Sequence, residues 1–324
     1  MASSEQIIAT FLQRVGGGHA DDVRALLLAV PALVNAVGPH PYWGGRPQPL
    51  HVAIEGGRRD LFDILIEHGA DVNGKNDEYD RWSPLMLAVS GKRDEMRDEL
   101  IRRGARIGVP EALLLANDEM TEALLARGLP AAAPNGGSLL AFARTPAAID
   151  FLIAVGADTE SKDRWGTTPI EAISRLGTIG RPLVEHLVSL GVPASPAEYA
   201  RTGDLDTVMT LLSTDPAVAQ SDGVMMAAVE GGHHDLVTWL LERGGNANAR
   251  EIARSRQTAL HSAAWHGDLR MAEILVRAGA DVCARDEEHD STPLGFAETS
   301  REVTNNPRCA EVAAFLKSAT RPPA

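Results

Sequence analysis

Five positions place ionisable or aromatic side chains just ahead of a glycine: Glu55 before Gly56, Arg175 before Leu176-Gly177, Arg201 before Thr202-Gly203, Glu230 before Gly231, and Trp265-His266 before Gly267. As one set, these residues could form a polar pocket. Glu55 or Glu230 would serve as acid or base, Arg175 and Arg201 as clamps for an anion, and Trp265 as a stacking surface. A second group sits in turn-rich stretches: Tyr42, Trp43 and Arg46 in AVGPHPYWGGRPQP, Tyr79 and Trp82 in NDEYDRW, and Arg164 and Trp165 in DRWG. Tryptophan, tyrosine and arginine dominate binding hot spots, so exposed copies would be partner contacts. Plainer readings stand beside both: a solvated polar face, and a long ordered turn whose aromatics cover the next element. HExxH, a glycine-rich phosphate loop and GxSxG are absent from the sequence, and no cysteine and histidine spacing fits zinc. We therefore expect no metal and no cofactor.

The elements that carry these residues repeat. QTALHSAAWHGDLRMAEILVRAGADVCARD, residues 257–286, reads as a short helix opened by Thr258, broken at Gly267, and followed by a second apolar helix ended by Gly279. Leu50-His51 through Gly69-Ala70-Asp71-Val72-Asn73 repeats it, as do Ser83-Pro84-Leu85 through Gly104-Ala105 and Thr168-Pro169-Ile170 through Gly191. Ala227-Ala228 through Gly244 adds another copy. Gly69 and Gly104, Gly156 and Gly191, and Gly244 and Gly279 are each 35 residues apart. A helix pair this short cannot bury its apolar faces alone and has to stack on its copies.

With these motifs and this spacing the chain resembles the ankyrin-repeat family, in a bacterial-type form of about nine or ten units, several of them degenerate. The resemblance implies an all-α solenoid of stacked helix-turn-helix units joined by short hairpin loops. It also implies a concave face built from hairpin tips and the ends of the first helices. Tyr42, Trp43, Arg46, Glu55, Tyr79, Trp82, Arg164, Trp165, Arg175, Arg201, Glu230, Trp265 and His266 are then candidate contacts for a partner or ligand. His51 and His261 match the Leu-His motif and are expected to hydrogen-bond between neighbouring units.

One solenoid over residues 1–324 is expected. Residues 1–37 would cap its N-terminal end and 287–318 its C-terminal end, with a frayed tail at 319–324. Of the central repeats, 38–286, two stretches are degenerate: around 107–160, where glycine spacing shrinks, and around 195–220. A core of small and aliphatic residues fits a composition that is 44% apolar and only 4% aromatic. Net charge is −13, from 31 basic and 44 acidic residues, which argues against nucleic acid or an anionic membrane as partner. Two distant cysteines and no secretory leader suggest a reducing, cytoplasmic setting. The expected function is a binding module holding a protein or peptide in the groove. The alternative is an enzyme or small-molecule binder whose pocket on the concave face is built from Trp, Tyr, Arg, Glu and His side chains.

Overall fold

Helix signals in this chain start with Ser/Thr-Pro pairs, because proline is preset for the first helical position and a hydroxyl ahead of it caps the free amides. In the computed structural model Ser83 and Thr168 cap in this way, accepting hydrogen bonds from the amides of Met86 and Glu171. The structure describes residues 4–42, 44–74, 82–128, 133, 134, 136–252 and 255–320; Trp43 and Tyr79 fall outside this set. Within it the regular elements are helices and 3₁₀ turns, with no strand, and a β-bridge joins Arg250 and Thr258.

The helices fall into two compact units: residues 1–166 with 303–305, and 167–302 with 306–324. In the first unit α1 (Ser4–Gly16) pairs with α2 (Ala20–Ala29), α3 (Pro49–Glu55) with α4 (Arg59–Glu67), α5 (Pro84–Ser90) with α6 (Asp94–Arg102), and α7 (Val109–Leu114) with α8 (Asp118–Ala126). A 3₁₀ turn, Leu139–Phe142, then stands in for a first helix ahead of α9 (Pro146–Ala154). In the second unit the pairs are α10 (Pro169–Ser174) with α11 (Arg181–Ser189), α12 (Pro196–Thr202) with α13 (Leu205–Thr214), α14 (Asp222–Glu230) with α15 (His234–Glu242), and α16 (Ala259–His266) with α17 (Leu269–Arg277). It closes with α18 (Pro293–Thr304) and α19 (Cys309–Ala319).

First helices pack on first helices: α3 on α5, α5 on α7, α12 on α14 and α14 on α16. The second unit manages this with small residues, since Ala227, Ala228, Ala259, Ala263 and Ala264 are all buried and let backbones approach. In the first unit larger side chains fill the core, among them Phe11, Leu50, Leu61, Phe62, Leu65, Leu85 and Leu100.

Polar side chains bridge the pairs. Asn35 donates its Nδ2 to the Gly69 carbonyl at 3.1 Å while its Oδ1 accepts the Asp71 amide at 2.8 Å. Asn73 repeats the bond pair on Gly104 and Arg106, and Asn248 on Gly279 and Asp281. In these three places one amide group ties a connection to the helix end of the next pair. The two motif histidines do the same from the first helices, donating Nε2 to the carbonyl of Trp82 at 3.1 Å from His51 and of Ser291 at 3.0 Å from His261. An acceptor-only carbonyl fixes the proton on Nε2 in both.

The two rungs are not equally satisfied. At His261 the other ring nitrogen accepts the Thr258 amide, whereas at His51 it is buried without a partner, as is Oε1 of Gln48 in the matching position. Gln48→Thr, which supplies the missing hydroxyl, is expected to raise stability by about 1 kcal/mol in urea denaturation. Burial pushes both imidazoles below their ordinary value of 6.5. Unfolded imidazoles gain protons below about that pH while the folded ones resist, so stability should fall as the solution is acidified past it. Denaturation midpoints measured down the pH scale should show this fall, and His51→Gln with His261→Gln should flatten it.

Candidate functional site

Turn chemistry decides where the first-unit candidates point. In the loop between α1–α2 and α3, the Gly38 amide bonds the Pro47 carbonyl and the His40 amide bonds the Gly45 carbonyl, which folds the segment back on itself. His40 is buried, its Nδ1 accepts the Tyr42 amide at 3.2 Å, and its Nε2 therefore donates to Glu55 Oε2 at 3.0 Å. Glu55 sits at the C-terminal end of α3, so the pair clamps the loop onto that helix. Tyr42 is half-buried against α1, where a side chain at Gly16 would meet its ring at 2.8 Å. Arg46 reaches Glu5 at 3.0 Å. These three candidates are held by their own unit.

Trp82 and Trp165 share the local sequence Asp-Arg-Trp but end up in opposite surroundings. Trp82 runs straight into Ser83-Pro84 and α5, so its ring is half-buried, 5.9 Å from Phe142. Trp165 precedes Gly166, whose φ of +84° sends the chain away, and its ring is 62% exposed. Asp163 fixes that apex: its carboxylate accepts the Trp165 amide at 2.9 Å and its carbonyl the Gly166 amide at 2.9 Å. The Arg164 guanidinium lies 4.6 Å above the indole. The result is a cation–aromatic plate held on a rigid turn.

In the second unit the polar stripe is occupied from within. Arg201, 8% exposed, donates Nε to Glu230 at 2.9 Å and Nη1 to Ser174 at 3.0 Å, tying α12 to α14 and α10. Arg175 is exposed and paired with Glu171 one turn earlier at 3.0 Å. Trp265 is half-buried edge-on to Phe296, with ring centres 6.1 Å apart, and its carbonyl accepts from Ser300 at 2.6 Å. His266 is exposed and bonded to the Ser262 carbonyl of its own helix.

Two clefts stand out among the described residues. One of about 310 Å³ lies in the second unit beside the turns at Gly203 and Gly232, with His233, His234, Asp235 and Arg270 on its walls. The other, of about 230 Å³ in the first unit, is lined by Asn73, Ser83, Arg106, Ile107, Gly108 and Glu111. Trp82, Trp165, Arg175, Arg201 and Glu230 line neither. Among the described residues there is no cluster of metal-ligand side chains.

One cation escaped the sequence reading. Arg144 follows the 3₁₀ turn Leu139–Phe142 and donates to the carbonyls of Ala141 and Ala143, and burial pushes its guanidinium down to about 10. Its position is legible only once the truncated first helix of that pair is seen.

A family model described as Ankyrin repeats (3 copies) matches residues 14–111 and 197–286, more than half the chain. The mouse B-cell lymphoma 3 protein homolog is 29% identical over 174 residues, 49% of this chain and 38% of that protein. The mouse ankyrin repeat and SOCS box protein 6 is 41% identical over 63 residues, 19% of this chain and 15% of that protein. A probable E3 ubiquitin-protein ligase of rice, XBOS33, is 34% identical over 118 residues, 34% of this chain and 22% of that protein. The chain thus spans well under half the length of these curated relatives. The crystal structure of the human ASB11 ankyrin repeat domain is matched with a TM-score of 0.33 and 20% identity, covering 86% of this chain and 100% of that one.

Removing Arg201 should cost stability, because truncation leaves the Glu230 carboxylate and the Ser174 hydroxyl without their buried partner. We expect Arg201→Ala to lose about 2–4 kcal/mol in denaturant titration. A midpoint unchanged from wild type would show that the guanidinium is not held as described.

Proposed function

This chain belongs to the ankyrin-repeat family, and from that premise we propose that it is a protein-binding module whose partner docks on the turn at 163–166. One observation carries the reading: Trp165 stays 62% exposed on a turn that its own hydrogen bonds hold rigid, with Arg164 stacked over it. Leaving a large indole in water is unfavourable, and a partner that covers it recovers the burial. Because the turn is already ordered, little conformational entropy is lost on docking. Trp82, Tyr42 and Glu55 contribute to this function indirectly, by fixing the pairs of the first unit. Arg175 and His266, both exposed at helix ends of the second unit, are secondary contact candidates.

We infer a protein or peptide as partner rather than nucleic acid or membrane. The net charge of −13 opposes polyanions, and no described helix is long and apolar enough to cross a membrane. Cys283 and Cys309 are both free thiols, which fits a reducing compartment such as the cytoplasm.

The test compares wild type with Trp165→Ala and Arg164→Ala in affinity capture from lysate of the source cell. The proposal expects proteins retained by wild type to be lost from Trp165→Ala, at an unchanged melting temperature. A hot-spot loss of about 2 kcal/mol corresponds to roughly 30-fold weaker binding once the partner is purified. Identical retention by both variants and wild type would remove this turn from the interface.

A further inference from the structure

The 230 Å³ cleft of the first unit lies between the Asn73–Ser83 side of one pair and the connection into α7. Four residues after Gly69 and Gly244 stands a bridging asparagine, Asn73 or Asn248, and four after Gly104 stands Gly108. Position 106 changes as well: aspartate follows Gly69 and Gly279 two residues on, at Asp71 and Asp281, whereas Arg106 follows Gly104.

Two opposite charges face this space. Glu111 is only 6% exposed, and its carboxylate accepts the Ser83 hydroxyl at 2.7 Å and the Gly108 amide at 3.0 Å. Glu198 makes the same cap with Ser195, so the cap by itself marks nothing. What Glu111 adds is its place on the wall of a cleft, and among the described residues it forms no ion pair. Two hydrogen bonds leave about half of a carboxylate's acceptor sites open and its charge uncompensated. Arg106 also lines the cleft, its guanidinium makes no hydrogen bond or ion pair among the described residues, and the half-buried Ile107 supplies an apolar wall.

We propose that this cleft binds a free α-amino acid, its ammonium group on Glu111, its carboxylate on Arg106 and its side chain along Ile107. The volume suits that class, being smaller than the roughly 300–1,000 Å³ of sites for drug-sized ligands. A purely cationic ligand would meet Arg106 and a purely anionic one Glu111, so the pair selects a zwitterion.

The experiment screens the twenty common amino acids one at a time by thermal shift on the full chain. It follows any that act by calorimetry against wild type, Arg106→Gln, Glu111→Gln and Gly108→Asn, with N-acetyl amides of the same amino acids as probes without charge at either end. Expected is a raised midpoint for at least one amino acid, with no rise for its N-acetyl amide. Each charge-assisted contact removed should weaken binding at least ~10-fold. Gly108→Asn puts a side chain beside Glu111, whose Oε2 a Cβ at this position would meet at 3.0 Å, so it should abolish binding. Arg106 is exposed, so its variant should fold even if Glu111→Gln does not. The inference is overturned if no amino acid shifts the midpoint, if the N-acetyl amides bind as well, or if Gly108→Asn binds like wild type.

Discussion

The helix pairs of this chain depend on their neighbours, and that constraint organises everything else. Its helices run from 6 to 13 residues, too short to persist alone in water. Burying one face against the next pair supplies the stability, but the same burial would strand backbone carbonyls at each helix end. The bridging side chains answer that need. Asparagines hold the outer connections, histidines hold the first-helix side, and at the turns Arg58, Arg93 and His233 reach back to the carbonyls of Gly16, Glu55 and Arg201. Stacking and polar satisfaction are therefore one event, and a pair contributes only as a neighbour.

The proposed contacts lie where the bridging changes. In full pairs the polar groups are spent on the fold, as Arg201 with Glu230 and His40 with Glu55 illustrate. Groups left to face outward lie where the pattern is interrupted: the Trp165 apex, sent outward by Gly166, and the cleft beside Gly108.

Much of the scaffold was legible in the sequence. The periodic glycines and the Leu-His pairs define helix ends and rungs because those roles depend on local geometry, and His51 and His261 make the inter-unit bonds expected of them. Side-chain pairing was less legible. Arg201 and Glu230 lie 29 residues apart and meet only through stacking register, so a groove clamp and a buried ion pair look alike in sequence. Trp82 and Trp165 share a tripeptide, and the residues after it separate them: Ser-Pro draws one into a helix, while glycine at positive φ leaves the other at an apex. The cleft brings Asn73 and Ser83 of one pair beside Arg106 and Glu111 of the next, a juxtaposition that appears only in the fold.

Amide hydrogen exchange tests the cross-pair account most directly. The amides of Asp71, Arg106 and Asp281 belong to exposed residues in connections, yet each donates to the asparagine of the preceding pair at 2.7 or 2.8 Å. If those rungs hold the stack, these amides should exchange as slowly as amides within the helices they join, opening only when neighbouring pairs separate. Exchange at the rate of free loop amides would contradict the account, leaving apolar packing alone to hold the pairs together.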